Sequence, residues 1–378
     1  MRLAFLTSLV PGRRPASGYE VANACVVDAL RGLGHDVRVH GWALPETDVP
    51  ADTLCFGTAE FRNARAGRAL QARWLARSIA DGVPFAAAKL RSLGRPPFDL
   101  NGIDAVVFNS WQVAAAFPDL LRERPWAYLA HNVEARTSRD NALHAQSTLL
   151  RKLHTRDAGL LETLEADLTE RARFVWTFAD EDIAAFGTPR ERGASLPLLF
   201  PGRNASAPSA HAFDAAMIGT FTWEANAVGL RWLLERVLSH LPSDFVLAVA
   251  GDVPAELVRA HPGVRWMGRV DDATAFLAQG TVVPLCARAG TGVQLKTIEV
   301  LQSGRAAVAT TRALRGVRAR PANLRVADDP REFARALAEF ASRGRSGESL
   351  DVDPTSFIGA QRTGLNEALR RGVEALAI

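Results

Sequence analysis

The stretch that decides the fold is Val282–Thr311, VVPLCARAGTGVQLKTIEVLQSGRAAVATT. Its first four residues are apolar and predict a short buried strand. The turn that follows contains Gly290 and Gly292, which can adopt positive φ angles. A helix is predicted from about Val293 to a C-cap at Gly304, and the apolar run after it predicts a second buried strand. Strand, turn, helix and strand in this order form the repeating unit of a parallel α/β sheet.

The groups in this stretch that could bind a ligand lie at the start of the predicted helix. Free backbone N–H groups and the helix dipole attract anions, and Lys296 adds a full positive charge. Glu299 follows one turn later, where a carboxylate can accept hydrogen bonds from vicinal hydroxyls. A diphosphate next to a ribose has this polarity. An ordinary crossover helix in which Lys296 and Glu299 form a solvated i,i+3 pair fits the same residues, so geometry alone leaves both interpretations open.

Three segments of the chain carry a resemblance to a known family. The stretch quoted above resembles the nucleotide-sugar signature of family-4-type GT-B glycosyltransferases (glycosyl transferases group 1). IGTFTWEAN at Ile218–Asn226 is similar to the opening of their C-terminal domain, and HNVE at His131–Glu134 is similar to a motif that closes a strand of their N-terminal domain. The positions that match the signature are Gly290, Thr291, Gly292, Leu295, Lys296, Glu299, Gly304, Val308, Ala309 and Thr310.

The resemblance implies an α/β fold of the GT-B type, in which two Rossmann-like, doubly wound parallel-sheet domains face a cleft. We expect an N-terminal acceptor-binding domain over residues 1–197, a linker rich in Pro, Gly and Ser over 198–212, and a nucleotide-sugar-binding domain over 213–354. The resemblance also implies that a final helix, over 355–378, packs back on the N-terminal domain. The strands predicted from apolar runs are Leu3–Leu6, Asp36–Trp42, Thr53–Phe56, Ala105–Asn109, Ala127–Ala130, Phe174–Thr177, Ala215–Ile218, Phe245–Ala250, Val264–Met267, Thr281–Leu285, Ala306–Ala309 and Leu324–Val326.

By the same resemblance, a donor site is expected at two turns of the C-terminal domain. Arg269 lies near the position of a loop that contacts the base in the family, and an ordinary surface arginine fits it equally well. Thr291 stands where many members carry a first glutamate. The residues Trp223-Glu224-Ala225-Asn226 stand where many carry an arginine and a lysine, so Lys296 is expected to be the main protein cation on the diphosphate. The residues implied to bind the donor are Gly219, Thr220, Phe221, Arg269, Ala289, Gly290, Thr291, Gly292, Lys296 and Glu299.

The resemblance also implies a set of reacting and acceptor-side residues. His131 would contact the donor sugar near the reacting carbon. Gly18 lets the backbone approach a ligand closely, and a routine helix cap explains it as well. Glu134 could bind an acceptor hydroxyl or pair with Arg136 or Arg139, and Glu20 would matter as a base if the reaction inverted. The implied catalytic residues are His131, Lys296 and Glu299, and the implied acceptor-binding residues are Gly18, Tyr19, Glu20, Asn132 and Glu134.

Length and composition limit the number of domains, the location of the protein and the ligands that it can be expected to bind. A chain of 378 residues is long enough for two α/β domains. Cys25, Cys55 and Cys286 lack metal-ligand spacing and are interpreted as buried reduced thiols. No apolar run reaches the length of a membrane-spanning helix and no signal peptide is recognised, so a cytoplasmic protein is expected.

No nucleic-acid-reading module is recognised. The Asp-x-Asp pairs at 180–182 and 351–353 do not follow strands as a metal site would, so neither metal nor cofactor is expected beyond the nucleotide diphosphate-sugar donor substrate.

One segment is strongly basic. Phe61–Arg95 contains eight lysines and arginines against one acid, Asp81, with apolar residues interleaved. It could lie on an anionic membrane, which would make the protein peripheral on the inner face of the membrane. A solvated helix face explains the same pattern.

The function that these observations favour is transfer of a sugar from a nucleotide diphosphate donor to a glycan or lipid-linked acceptor, in bacterial-type polysaccharide or glycoconjugate biosynthesis. The resemblance favours a retaining, metal-independent reaction of hexosyltransferase type. A non-catalytic GT-B scaffold module and a nucleotide-sugar epimerase of the same fold are the alternatives. The epimerases carry more carboxylates and histidines in the cleft than this sequence offers.

Overall fold

The structure is a computed structural model, and it describes residues 1–13, 15, 17–62, 65–145, 147–200 and 211–377. The chain divides into two compact units. The first comprises Met1–Leu198 together with Thr363–Ile378, and the second comprises Leu199–Arg362. The linker predicted over 198–212 falls mostly on residues 201–210, which lie outside the described residues.

Within the described residues, the first unit contains a parallel sheet of seven strands in the order β3-β2-β1-β4-β5-β6-β7. Helices follow the strands, and residues of β1, β4, β5 and β6 form the buried core. The strands are β1 (Arg2–Thr7), β2 (Asp36–Ala43), β3 (Thr53–Thr58), β4 (Ala105–Asn109), β5 (Trp126–Ala130), β6 (Phe174–Thr177) and β7 (Gly193–Ser195). The helices are α1 (Gly18–Gly32), α2 (Arg68–Asp81), α3 (Phe85–Arg91), α4 (Gln112–Ala116), α5 (Glu134–Leu143), α6 (Thr148–Arg171) and α7 (Asp180–Ala185).

The second unit, in its described part, contains a parallel sheet of six strands in the order β10-β9-β8-β11-β12-β13. The strands are β8 (Phe213–Thr220), β9 (Leu247–Asp252), β10 (Arg265–Gly268), β11 (Gly280–Leu285), β12 (Ala307–Ala309) and β13 (Leu324–Val326). The helices are α8 (Glu224–Trp232), α9 (Ala255–Ala260), α10 (Ala273–Ala278), α11 (Leu295–Gln302), α12 (Pro330–Arg345) and α13 (Thr355–Ala377). The division into units falls inside α13, since Thr363 and the residues after it are grouped with the first unit.

The predicted strands are confirmed, with small differences at their ends. One strand, β7, was not predicted, because Gly193–Ser195 is three small residues long and shows neither an apolar run nor alternation. The predicted helix start near Val293 is wrong by two residues. Gln294 is the N-cap of α11 and has an extended backbone, so the turn runs two residues further than the glycines suggest.

Each sheet has a point at which its strand order reverses. In the first unit β1 lies between β2 and β4, and in the second β8 lies between β9 and β11. Connections leave the sheet in opposite directions at such a point, which opens a crevice at the carboxyl ends of the strands. In this protein the crevice positions are the residues that follow β1 and β4 in one unit and β8 and β11 in the other.

The carboxyl-terminal part of α13 packs on β6 within the first unit. Trp176 Nε1 donates a hydrogen bond to Ala368 O at 2.9 Å, and the Arg371 guanidinium lies 5.6 Å from the Phe174 ring centroid. Trp176 is fully buried, so this contact belongs to the core of that unit. Among the helices of the described residues, none combines the length and apolarity that a membrane crossing needs.

Candidate functional site

The ammonium of Lys296 lies at the reversal point of the second sheet. Lys296 is the second residue of α11, and its Nζ is 3.1 Å from the position that a Cβ on Gly219 would occupy. Gly219 is near the carboxyl end of β8, so the absence of a side chain there makes the space that the ammonium fills. The ring of Phe221 lies beneath the ammonium, with its centroid 5.7 Å from Nζ.

Lys296 has few protein partners for a charged group. Its ammonium makes one long hydrogen bond, to Asn226 Oδ1 at 3.5 Å, and no described carboxylate forms an ion pair with it. Asn226 is itself held by a 3.0 Å hydrogen bond from Nδ2 to Thr220 O. Because the ammonium is largely desolvated, burial lowers the pKa of Lys296. A buried cation with so few partners is stabilised by an anion.

A small cavity lined by both polar and apolar residues adjoins this lysine. Its volume is about 20 Å³, which is room for roughly one water molecule. Thr297 Oγ1 is buried and has no hydrogen-bond partner among the described residues. Thr297, Lys296, Asn226 and Gln294 all line the cavity. The start of α11 therefore offers polar side-chain atoms that its own fold does not satisfy.

In the turn between β11 and α11, Gly290 adopts the positive φ angle that glycine allows, whereas Gly292 does not. Gly290 has a φ of +91°, which other residues rarely adopt. Arg312 Nε donates to Gly290 O at 3.2 Å, so a second cation is placed at the turn. Thr291 is buried, and Ala289 and Gly292 are partly buried.

Two hydrogen bonds to Asp252 hold Arg269 beside β8. Its Nε and one terminal nitrogen donate to Asp252 Oδ1 and Oδ2 at 2.9 and 2.8 Å. Asp252 ends β9, and its carbonyl accepts a 2.7 Å hydrogen bond from Phe221 N. The Arg269 side chain is 83% exposed, so it is available to a ligand at the edge of the sheet. The pairing raises the pKa of Arg269 and lowers that of Asp252.

Glu299 lies three residues after Lys296 on α11, one turn further along the helix. It lines a cavity of about 20 Å³ with Thr274, Ser303 and Arg305, none of which lines the Lys296 cavity. Glu299 and Lys296 therefore line two separate cavities, although both residues lie on α11. A nearby residue of the same helix, Gln302, exchanges two hydrogen bonds with the backbone of Phe200, at 2.9 and 2.7 Å.

In the first unit, His131 lies at the carboxyl end of β5 and is held from three sides. Its Nε2 is 2.8 Å from Asn109 Oδ1 at the end of β4. The Tyr19 ring stacks on it with centroids 4.5 Å apart, and the Phe178 ring meets it edge-on at 4.8 Å. Desolvation lowers the pKa of His131 to about 3, so the imidazole is neutral at physiological pH.

Tyr19 and Glu20 make hydrogen bonds that stabilise the start of α1. The Tyr19 hydroxyl is 3.0 Å from Thr7 Oγ1 and accepts from Asn109 Nδ2 at 3.0 Å. Glu20 and Ser17 form a capping box: Ser17 Oγ donates to the Glu20 carboxylate at 2.8 Å and accepts from Glu20 N at 3.3 Å. Glu20 is 3% exposed, so it is a helix cap rather than a carboxylate at an open edge. Gly18, beside it, is exposed.

Asn132 and Glu134 follow His131 and begin α5. Asn132 Nδ2 donates to Glu134 Oε1 at 3.2 Å. Burial raises the pKa of Glu134, and the charge of Asp182 raises it further. The alternative interpretation of Glu134, an ion pair with Arg136 or Arg139, is not found among the described residues, and Arg139 pairs with Glu162. Glu134 therefore remains a candidate for an acceptor hydroxyl.

Two residues at these sites were missed by sequence reasoning. Asn109 is the last residue of a predicted buried strand, and a polar residue at that position is the signal that could have identified it. Arg312 comes shortly after β12, but nothing in the sequence indicates that its guanidinium reaches Gly290 O. Among the described residues, there is no group of three or more His, Cys, Asp or Glu side chains arranged to hold a metal ion.

Comparisons with known proteins concern the second unit and the fold of the chain. Residues 212–343 match the model of the family Glycosyl transferases group 1, and this range contains β8, α11 and Lys296. No curated protein sequence matches the chain significantly.

Similar solved structures extend over the whole chain. HepE from Anabaena in complex with UDP and glucose has a TM-score of 0.60 at 14% identity, covering 99% of this chain and 100% of that one. WaaG, a glycosyltransferase involved in lipopolysaccharide biosynthesis, has a TM-score of 0.56 at 16% identity, covering 99% and 98%. Sucrose-phosphate synthase from Thermosynechococcus elongatus has a TM-score of 0.57 at 15% identity, covering 100% and 96%. At these identities the likeness concerns the fold. The chain therefore resembles the family Glycosyl transferases group 1 over residues 212–343, and its two sheets have the fold of these GT-B glycosyltransferase structures.

Proposed function

We propose that this protein transfers a sugar from a nucleotide diphosphate donor to a glycan or lipid-linked acceptor, in polysaccharide or glycoconjugate biosynthesis. The second unit binds the donor, with its diphosphate at the start of α11. The observation that carries the proposal is the Lys296 ammonium, which is desolvated at a helix N-terminus and has one 3.5 Å hydrogen bond to a described side chain. A diphosphate supplies the negative charge that this position lacks.

The other groups around α11 fit the same ligand. Arg312 at the Gly290 turn adds a second positive charge, which compensates for the arginine and lysine that the sequence lacks after β8. Arg269 is exposed beside the same strand and is proposed to meet the base. Glu299 is proposed to hold the ribose hydroxyls. Its position one turn after Lys296 requires the ribose to extend along the helix from the diphosphate.

The proposed reaction retains the configuration at the anomeric carbon and uses no metal ion. The bond between that carbon and the diphosphate oxygen breaks, and the acceptor oxygen bonds to the carbon on the same face. The departing diphosphate oxygen takes the acceptor proton. Little side-chain acid or base chemistry is then needed, because positioning and neutralisation of the diphosphate charge carry the rate. The neutral imidazole of His131 is consistent with such a reaction, which needs no proton from a side chain.

Replacement of Lys296 tests the donor site. Lys296→Ala should weaken nucleotide diphosphate binding and slow transfer by roughly one to three orders of magnitude, because one preorganised positive charge is lost. Binding is measured as the shift in melting temperature on addition of UDP, GDP, ADP or TDP, since a ligand that binds only the folded state raises it. Lys152→Ala is the matched control, because Lys152 is exposed on α6 in the first unit.

Equal melting shifts and equal rates for Lys296→Ala and Lys152→Ala would contradict the assignment. The reaction class is tested separately by nucleotide diphosphate release, with and without added glycan acceptor. Release that depends on acceptor is expected of a transferase. Conversion of the donor into an epimeric nucleotide-sugar without net release would favour an epimerase, and nucleotide binding with neither release nor conversion would favour a scaffold module.

A further inference from the structure

We propose that Asn109 is a positioning residue that fixes His131 in the tautomer with its proton on Nε2, so that Nδ1 offers a lone pair to a hydroxyl of the bound sugar. This inference deepens the proposed function and rests on it for the identity of the ligand. The tautomer itself is a property of the protein without ligand. Asn109 is fully buried at the carboxyl end of β4, next to the reversal point of the first sheet.

The hydrogen bonds of Asn109 determine which way its amide points. Its Nδ2 lies 2.9 Å from Thr7 Oγ1, 2.9 Å from Asn23 Oδ1 and 3.0 Å from the Tyr19 hydroxyl. Asn23 Oδ1 is a carbonyl oxygen and can only accept, so the Asn109 atom that faces it must be the donating nitrogen. The other amide atom, Oδ1, therefore faces His131.

The orientation of the amide then fixes the imidazole. Asn109 Oδ1 can only accept, and it is 2.8 Å from His131 Nε2, so Nε2 must carry a proton. Desolvation disfavours the imidazolium, since it lowers the pKa of His131 to about 3. A neutral ring with its proton on Nε2 has an unprotonated Nδ1. Nδ1 makes no hydrogen bond to any residue that the structure describes. It is not one of the atoms that are both fully buried and without a partner, so it is not sealed inside the protein.

The surroundings of Asn109 hold this arrangement rigidly. Tyr19 and Phe178 clamp the imidazole ring from two sides. Ser110, the next residue in the chain, has a φ of +64°, a left-handed conformation that costs free energy in a residue other than glycine. Its backbone N–H donates to Leu129 O at 2.8 Å, which holds the strained turn against β5, the strand that ends just before His131.

The tautomer is measured by NMR on the full-length protein with ¹⁵N-labelled histidine. The chain contains eight histidines, and the His131 signals are identified as those missing from the spectrum of His131→Gln. The wild-type protein should show His131 neutral between about pH 5 and 8, with the proton on Nε2. Asn109→Asp should raise the pKa of His131 by at least one unit, because a carboxylate beside Nε2 stabilises the imidazolium. Asn101→Asp, at an exposed loop position, should leave it unchanged.

A proton on Nδ1 in the wild-type protein, or the same His131 titration in Asn109→Asp as in the wild type, would overturn the proposal. The wild-type measurement decides the tautomer even if the buried variant does not fold. A second readout is enzymatic: transfer by Asn109→Asp should fall as pH decreases through the raised pKa of His131, because the imidazolium no longer offers a lone pair. If no donor sugar is transferred by the wild-type protein, the proposed function fails, whereas an Nε2 proton would still support the positioning role.

Discussion

At the scale of single residues, the proposed donor site depends on a steric match between two positions that are far apart in sequence. Gly219 leaves a space at the end of β8, and the Lys296 ammonium occupies it from the start of α11. The ring of Phe221 closes the same space, since its Cζ would lie 3.0 Å from a Cβ at position 219. A side chain at position 219 would therefore occupy the space that the Lys296 ammonium fills.

This competition leads to a prediction for Gly219→Ala. The added methyl group should push the ammonium away from its place over Phe221 and weaken nucleotide diphosphate binding by roughly 1 kcal/mol, which is about a fivefold rise in Kd. Titration calorimetry with the nucleotide that gives the largest melting shift would measure it. Gly263→Ala is the control in the same unit, because a Cβ there meets nothing within 4 Å. An unchanged Kd for Gly219→Ala would show that the lysine does not need this space.

At the scale of helices and strands, the start of α5 is held by an acid from α6. Glu165 accepts hydrogen bonds from Glu134 N at 2.7 Å and Ala135 N at 3.0 Å, the first two N–H groups of α5. The carboxyl group is 2% exposed. Burial raises the pKa of Glu165 to about 7, and the charges of Glu134 and Asp182 add to the increase. The helix that follows His131 is therefore attached to a group that titrates near neutral pH.

Stability should depend on the protonation of Glu165. The folded state binds the proton more tightly than the unfolded state, so this contribution is complete below about pH 4.5 and is lost as pH rises through about 7. The full effect is on the order of 3 kcal/mol. Urea unfolding at several pH values should show a shallower decline for Glu165→Gln than for the wild type. Glu162→Gln, at an exposed position one turn away, is the control. Parallel pH profiles for Glu165→Gln and the wild type would rule out this coupling.

Many of the positive charges in the basic segment over Phe61–Arg95 are paired with acids in the structure. Acids from outside the segment approach it, so that Arg62 pairs with Glu46 and Glu60. Lys89 donates to Phe61 O and lies over the Trp74 ring, whose centroid is 4.9 Å away. Further ion pairs join Arg65 to Glu46, Arg77 and Arg91 to Asp81, and Arg95 to Asp119. Arg68 and Arg73 of α2 form no ion pair with a described residue.

Membrane association of this segment stays a prediction. If it contacts anionic lipid, the protein should sediment with vesicles that contain acidic phospholipid and should be released by salt, because screening acts over a Debye length of about 8 Å at physiological ionic strength. Substitution of Arg68, Arg73 and Arg77 with Ser should reduce binding and leave nucleotide binding intact. Arg331 and Arg335 of α12, replaced together by Ser, serve as the control. Equal partition onto neutral and acidic vesicles, or none onto either, would favour a solvated face.

At the scale of the whole molecule, the sequence predicts the two sheets well because buried parallel strands are continuous apolar runs. Glycine turns and the alternation with helices then give the doubly wound arrangement. The sites are harder to predict, because they depend on contacts between residues that are distant in sequence. Asn109 reaches His131, and Arg312 reaches Gly290, only after the strands are in register. The capping role of Glu20, by contrast, was present in the sequence as Ser-x-x-Glu and was overlooked.

The burial of Lys296 also has a consequence for chemical modification of the protein. Only three of the 45 basic residues are lysines, so the chain has three side-chain amines: Lys89, Lys152 and Lys296. Lys152 is exposed, whereas Lys89 is covered by Trp74 and Phe85, and Lys296 is covered by Phe221. Acylating reagents attack the unprotonated amine, and burial shifts both covered lysines toward that form while restricting access to them. Steric access, rather than charge, therefore makes exposed Lys152 the first of the three side-chain amines to be acylated, ahead of both covered lysines.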